Sequence, residues 1–483
     1  MRTCLSIGLC ALACAIARPL WAVSRPVDSV RLRVAVMSDV HLHSEPGTDG
    51  TLRKALAWFD AAGIDAAIVA GDITDWGIRS QHETFKRAWD SVFVRGRGRD
   101  GRSVTLLAIN GNHDNGGFRY GGPGNYRYSS NDPKLQAELD GQRAHYDRAK
   151  QWKEVYGEAY ESHFIRTVKG YMFVGSQFES DKSEGLREWF ARHRRALPRD
   201  KPFFYFQHVH LRGTVLGDWV SQDDGVATEL LSDFPNCIAF SGDSHTTLTN
   251  ERNIWQGAFT SVGTGSLLYV WAPDGRENGW QTAHGTPVQQ MPPMGGGGGD
   301  GRQAMLMLVY DDRIVLERRE FAFTDGERIG PDWVIPLDVR KRPYAWKTVS
   351  ASSRPYDFAS DATVTVHPFR TGKDRLGNSR EQVYVEFPIA QDRSDGRVRP
   401  FDYEVTVQTR ESDFSRVLTQ KRVYSCRSWA PERIEHKIVG CTFAREELPL
   451  EREMRFVVRA CDSWNNKSAP LCSDWMTLPP PAD

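Results

Sequence analysis

The sequence predicts an α/β layered domain followed by an all-β sandwich, and three features point there. From Arg31 onward, short apolar runs alternate with amphipathic helical stretches, the pattern of strands interleaved with helices. Between Pro331 and Pro355 proline recurs and helical periodicity stops, which marks residues 331–355 as a linker. Over residues 356–480, strand-like runs then follow one another with turn residues between them, the spacing of an all-β sandwich. The chain is 483 residues long, 40% hydrophobic and 26% charged, which excludes global disorder and leaves ample material for two cores. With 62 Lys+Arg against 62 Asp+Glu there is no net charge to gather nucleic acid by overall field. No interior stretch approaches the ~20 apolar residues of a membrane span.

The N-terminus stands apart. Met1-Arg2, the apolar run Leu5–Ala17 and the small-residue site Leu20-Trp21-Ala22 have the order of a secretory signal over residues 1–22, so an exported protein is expected. Export gives the later cysteines a meaning. Cys426, Cys441, Cys461 and Cys472 crowd the C-terminal region, and short-loop pairings Cys426–Cys441 and Cys461–Cys472 are expected in an oxidising compartment. Cys237, before Ile238-Ala239-Phe240, reads as an inert buried residue.

Within residues 31–330 the expected buried strands are 32–37, 66–70, 104–109, 203–206 and 238–240, with more strand character at 254–270 and 304–323. Helices are expected near 52–61, 136–156 and 184–197, and one opens at Ser80-Gln81-His82-Glu83, which has the form of a capping box. Asp311-Asp312 reads as a turn. Two loops stand out. One, residues 116–131, carries Arg119, Tyr120, Tyr126, Arg127 and Tyr128 among glycines; the other, 285–301, contains the run Gly295–Gly299.

Five clusters carry the chemistry: Asp39-Val40-His41, Gly71-Asp72-Ile73-Thr74-Asp75, Gly111-Asn112-His113-Asp114, Gln207-His208-Val209-His210 and Gly242-Asp243-Ser244-His245. Each begins where a predicted buried strand stops, and the carboxyl ends of parallel strands form one rim. The donors delivered there are carboxylate, amide and imidazole with no thiolate, a set suited to divalent Mn, Fe, Zn or Mg. They are too many for one open site and suit two ions that share a carboxylate, the arrangement that clamps a phosphoryl group.

In order and spacing these clusters resemble the motifs of the calcineurin-like metallophosphoesterase family, over roughly residues 31–325. The resemblance implies a four-layer α/β/β/α sandwich and metal-dependent phosphoester hydrolysis by a metal-bridging hydroxide. Carried across, it gives Asp39, His41 and His245 to the first metal, Asp72 to both, and Asn112 and His208 to the second. His113 corresponds to the family's non-ligand acid, and Asp114 is expected to orient it. Asp243 stands where the family has His. Either it lies outside the coordination sphere or its carboxylate replaces the imidazole, which favours harder ions. His208 is preferred to His210 as the ligand; His210 is expected to face the cleft or solvent. Asp75 reads as a structural acceptor, and His43 as either a substrate contact or a solvated loop residue.

The loop 116–131 starts at the cleft, so its Arg and Tyr side chains either hold substrate or pack on one another. The C-terminal module resembles fibronectin type III sandwiches in Tyr403–Val407 and Arg455–Ser468, which implies architecture and no activity. The substrate expected is a small-molecule or polymeric phosphoester, mono- or diester. A rival reading is a catalytically silent metal domain that presents the sandwich as a binding module.

Overall fold

In the computed structural model the described residues are 29–478, apart from 45–46, 123, 180–181, 218–219, 271–275, 278–300, 323, 353–356, 374–378, 392–399, 412–414, 425–437 and 450. The expected signal and the run Gly295–Gly299 lie outside them. The chain runs β1 (Leu32–Met37), α1 (Gly50–Ala62), β2 (Ala66–Ala70), α2 (Arg79–Val92), β3 (Thr105–Ile109), α3 (Pro133–His145) and α4 (Arg148–Tyr156). Next come β4 (His163–Val168), β5 (Tyr171–Ser176), α5 (Lys182–His193), β6 (Phe203–Phe206), α6 (Val226–Leu231), β7 (Cys237–Ser241), β8 (Ile254–Gln256) and β9 (Thr260–Gly263). After β10 (Arg276–Glu277), β11 (Gln303–Val309), β12 (Arg313–Glu320), β13 (Glu327–Arg328) and β14 (Trp333–Pro336) complete the first domain.

Two sheets face each other. One has the order β13-β12-β11-β1-β2-β3 with β14 also on β12; the other is β4-β5-β6-β7-β9-β8. The strands β1, β2 and β3 are parallel, as are β5, β6, β7 and β9. Their near-continuous apolar sequences follow from burial on both faces. In β1, Val34 and Val36 point between the sheets while Ala35 and Met37 point to the helices. In β6, Phe204 and Phe206 point inward, and Phe203 and Tyr205 outward toward α5 and α6. Period-two alternation thus builds three apolar layers from one set of strands. The result is the α/β/β/α layering expected from the sequence. Truncating a central aromatic such as Phe206 or Phe240 costs about 3–5 kcal/mol, because the facing sheet cannot close the cavity.

Beyond α7 (Trp346–Ser352), β15 (Thr365–Lys373), β16 (Ser379–Pro388) and β19 (Ile438–Ala444) form one antiparallel sheet. The other contains β17 (Asp402–Arg410), β18 (Ser415–Tyr424), β20 (Met454–Cys461) and β21 (Leu471–Cys472), with β10 on its edge. Both sheets contribute to one apolar cluster, Val383, Val385, Phe387 and Phe443 from one and Tyr403, Val405, Phe456 and Val458 from the other.

Several expectations change. The helix α2 begins at Arg79, not behind a Ser80 cap: Glu83 pairs with Arg79 at 2.7 Å, and the Ser80 N–H donates to Glu138. The stretch 136–156 is two helices, split at Tyr146-Asp147, where Asp147 caps α4 through the Lys150 N–H. The segment 331–355 is not a plain linker, because β14 adds to the first sheet and α7 follows. Strand β19 was not anticipated, and residues 474–478 make only an isolated bridge between Met476 and Met454.

The disulfide Cys461–Cys472 is not formed; Cys441 is buried in the C-terminal core, and its expected partner Cys426 lies outside the described residues. Strand register gives the reason. Cys472 is opposite Val457 on β20, four residues before Cys461. That separation is about 13 Å along a strand, whereas a disulfide needs Cα atoms within ~7 Å. Alkylation of the denatured, unreduced protein should therefore modify Cys461 and Cys472 fully; a Cys461–Cys472 cross-linked peptide would contradict this register.

Candidate active site

All five clusters sit immediately beyond strand ends on one rim: after β1, β2 and β3 in one sheet, and after β6 and β7 in the other. Backbone bonds cross-link the loops. The Asp39 and His41 N–H groups donate to the carbonyls of Gly71 and Asp72, both at 3.0 Å, and the Gly242 N–H donates to the His208 carbonyl at 2.8 Å. Side-chain bonds add to these, since the Asp243 N–H reaches the Asp39 carboxylate at 3.1 Å.

The approach is close enough to exclude side chains at two points. A Cβ on Gly111 would collide with the Asp72 carboxylate, and one on Gly242 with Asp39 Oδ2 and Ser38 Oγ. Among the described residues ten non-glycines have positive φ, and five of them are Asp39 (51°), His41 (44°), Asp72 (49°), Asp243 (67°) and His245 (51°). Each such conformation costs about 1–3 kcal/mol. Concentrating them here indicates that the loops are shaped for what the side chains hold.

Three imidazoles are aimed the same way. Nδ1 of His208 donates to the Ala70 carbonyl at 2.8 Å, Nδ1 of His245 to the Tyr269 carbonyl at 3.2 Å, and Nδ1 of His41 to Asp75 Oδ1 at 3.3 Å. With Nδ1–H so engaged, each Nε2 presents a lone pair to the centre. His41 Nε2 and His245 Nε2 face each other at 3.0 Å, with Asp39 Oδ1 3.1 Å from His245. His208 Nε2 meets Asn112 Oδ1 at 2.9 Å and Asp72 Oδ2 at 3.2 Å. With these Nε2 atoms unprotonated, acceptor faces acceptor at the spacing a shared cation would set, since ligands bonded at ~2.1 Å to one ion lie about 3 Å apart. Asp72 Oδ2 is also 3.5 Å from His41 Nε2, so one oxygen belongs to both sets. The residues thus fit two divalent ions: Asp39, His41, Asp72 and His245 around one, and Asp72, Asn112 and His208 around the other.

Burial would raise the Asp72 carboxyl, but the neighbouring His208, His41 and His113 hold it far below the usual carboxylate range. Asp39 is lowered in the same way, its burial outweighed chiefly by His245. Asp243 is raised, mainly by burial. Its Oδ1 is 3.6 Å from His208 Nε2, at the outer edge of the second set, and its side chain is 20% exposed against 0% for His208. Asp39, Asp72 and His208 form one of the tight three-residue groups; Asp243 is in none of them.

His113 lies beside the shared carboxylate, its N–H on Asp72 Oδ1 at 3.0 Å and its Nδ1 on the Asp75 carbonyl at 2.7 Å. Burial pushes its imidazole down, but Asp75 and the charge of Asp72 outweigh that and hold it up to about 9. The carboxylate beside it is Asp75, with Oδ1 at 3.4 Å. Asp114, expected in that position, is committed elsewhere. It accepts from the N–H groups of Ile73 (3.0 Å), Thr74 (2.8 Å) and Gly111 (2.9 Å) and from Thr74 Oγ1 (2.7 Å). It ties the loop after β2 to the loop after β3, while Asp75 orients both His41 and His113.

His210 faces neither cleft nor solvent. It is fully buried, its ring nitrogens each 2.7 Å from a serine hydroxyl, Ser241 and Ser244, and burial pushes its pKa down to about 4. His43 reaches toward Asp75 Oδ2 at 3.8 Å.

In the loop 116–131, Arg119 stacks on Phe118 and Tyr146 and Arg127 on Tyr128. The Tyr120 hydroxyl accepts from Asn112 Nδ2 at 2.5 Å, which turns Oδ1 of that amide toward His208. The sequence reading missed Ser38, which donates to Asp39 Oδ2, and Tyr269, whose ring packs 4.3 Å from that of His245. Ser38 could have been found from its place before Asp39; nothing in the sequence marks Tyr269.

Residues 32–246 match the model of the calcineurin-like phosphoesterase family. No curated protein matches the chain. Among solved structures, a purple acid phosphatase from yellow lupin (Lupinus luteus) is 14% identical, covering 64% of this chain and 55% of its own, with a TM-score of 0.38. A predicted phosphoesterase from Streptococcus pneumoniae TIGR4 is 11% identical over 63% of this chain and 97% of its own, TM-score 0.27. A Vps29 mutant from Entamoeba histolytica is 9% identical over 63% and 99%, TM-score 0.28. These likenesses are too distant to bear on activity. The motif order and the paired ligand sets agree with the family match over residues 32–246.

Proposed function

We infer that this protein hydrolyses phosphoesters, of small molecules or polymers, in an exported location. The observation that carries the chemistry is the single oxygen, Asp72 Oδ2, held between His41 and His208 at 3.5 and 3.2 Å. Two divalent ions bound there supply Lewis acidity, which activates water and draws charge from the phosphoryl oxygens. Identity among Mn, Fe, Zn and Mg is left open by an oxygen and imidazole donor set.

The chain's own residues do the rest. Asp72 is buried, and the neighbouring His208, His41 and His113 favour its carboxylate form. The Asp75 carbonyl fixes the His113 ring through Nδ1, leaving its other nitrogen to give a proton to the departing ester oxygen. Tyr120 keeps the Asn112 amide in one orientation. The retained His113–Asp75 pair favours catalysis over a silent metal domain, which needs no proton donor beside its ligands. Export is supported by the charged start, apolar run and small-residue site of residues 1–22.

The direct test is hydrolysis of p-nitrophenyl esters by the mature protein loaded with Mn²⁺, Zn²⁺ or Mg²⁺. Asp72→Asn should retain fewer than two ions by elemental analysis and lose activity by about three orders of magnitude or more. Inertness of the wild type toward mono- and diesters with every metal would overturn the reading.

Two carboxylates separate by role. Asp75→Asn should weaken metal binding about 10- to 100-fold through His41 and lower kcat through His113. Asp114→Asn should chiefly lower the unfolding free energy, by about 1–3 kcal/mol, as buried N–H groups lose their acceptor. Equal thermal shifts in the two variants would contradict this division.

His113→Gln should lower kcat about 10²- to 10⁴-fold with both ions retained. In the metal-free protein His113 is raised from 6.5 to about 9, so its share of stability is complete below about pH 6.5 and is lost as pH rises through about 9. Thermal melts of metal-free wild type across that window should fall more steeply than those of His113→Gln.

A further inference from the structure

The cleft-facing edge of the second metal set is closed by a carboxylate. Asp243 is held there by its backbone: its N–H is bonded to the Asp39 carboxylate at 3.1 Å, and its φ of 67° sets the direction of the side chain. Its side chain is 20% exposed, whereas those of Asp39, His41, Asp72, His208 and His245 are between 0% and 6%. Of the carboxylates at the two sets, Asp243 is therefore the one that an incoming phosphate meets.

Phenol rings gather around the same centre. The Tyr120 hydroxyl is 2.5 Å from Asn112 Nδ2, the Tyr128 ring lies 6.3 Å from that of Tyr120, and the Tyr269 ring lies 4.3 Å from that of His245. The two arginines of the loop that begins at the cleft are stacked on aromatic rings, Arg119 on Phe118 and Tyr146 and Arg127 on Tyr128.

We propose that this site selects substrates by charge, taking singly charged phosphodiesters in preference to doubly charged phosphomonoesters, with Asp243 as the discriminating residue. The proposal rests on the phosphoesterase reading above. Three carboxylates against two divalent ions leave one net positive charge, where a neutral residue at 243 would leave two. A dianion loses more by that difference than a monoanion does. One charge about 5 Å from the phosphoryl group, at an effective dielectric near 20, shifts the preference by roughly two orders of magnitude. The second organic arm of a diester replaces a charged oxygen with a group that the phenol faces can pack against.

The test compares methyl p-nitrophenyl phosphate with p-nitrophenyl phosphate, which share a leaving group, on the Mn²⁺-loaded wild type and on Asp243→Asn and Asp243→His. Metal content is measured by elemental analysis and inorganic phosphate affinity by calorimetry. The wild type should favour the diester in kcat/KM. In a variant holding both ions, the ratio should move toward the monoester, and phosphate should bind tighter, each by tenfold or more. Three outcomes would overturn the proposal: a wild-type ratio at or below one, a ratio and phosphate affinity unmoved in variants with both ions, or loss of an ion from both variants, since Asp243 would then act as a ligand with no separable charge effect. Inertness of the metal-loaded wild type toward both esters is a different result, and it refutes the phosphoesterase reading itself.

Discussion

The arrangement on which the rest depends is a set of buried acceptors that face one another. Asp72 Oδ2 lies 3.2 Å from His208 Nε2 and 3.5 Å from His41 Nε2, while the His41 and His245 Nε2 atoms meet at 3.0 Å. Each His has its other nitrogen on a carbonyl or carboxylate, so the repulsion cannot be relieved by exchanging tautomers. Desolvating such groups costs several kcal/mol per charge, and only cations between them repay it fully. The surrounding structure holds these lone pairs in position against their own repulsion.

That holding has a backbone component and a packing component. Left-handed conformations at Asp39, His41, Asp72, Asp243 and His245 together cost on the order of 5–15 kcal/mol at about 1–3 each. Strain of that size persists only where flanking structure over-determines it, and here every strained residue directly follows a strand buried on both faces. The inter-sheet aromatics Phe204, Phe206 and Phe240 lock the ends of β6 and β7, so the loops have no slack to relax. Asp114 contributes too, joining two of those loops through four hydrogen bonds.

The layered fold was legible because buried parallel strands leave apolar runs that few other structures produce, and because each ligand cluster abuts such a run. Site membership was legible for the same local reason. What a sequence does not carry is the direction of a side chain across a loop. Asp114 adjoins His113 in sequence yet turns back to the Thr74 backbone, while Asp75, from another strand end, comes beneath the imidazole. His210 reads like a second cleft residue two positions after His208, but strand β6 has ended at Phe206, period two no longer holds, and the ring turns into a pocket with Ser241 and Ser244. In the C-terminal region, cysteine spacing suggested pairings that strand register forbids, since proximity in sequence says nothing about which residues a β20–β21 ladder places opposite.

The loop that ends in the strained ligands also links the two domains. After His245 the chain turns through residues 246–253, where Asn253 Nδ2 donates to the carbonyls of Thr246 and Thr247 at 2.9 and 3.0 Å and fixes the loop from below. The preceding residue, Arg252, lies over the rings of Trp346 in α7 and Trp464 in the C-terminal module, at 4.8 and 5.4 Å. Cation–aromatic contacts of this kind are worth about 0.5–2 kcal/mol each. The Trp346 indole N–H donates to the Ile254 carbonyl, and Asn466 donates to Ser350, so the contact does not rest on Arg252 alone. The β-module thus contributes Trp464, and α7 contributes Trp346, to one aromatic clasp on the segment that follows His245, so the C-terminal region is packed against the catalytic half at that segment.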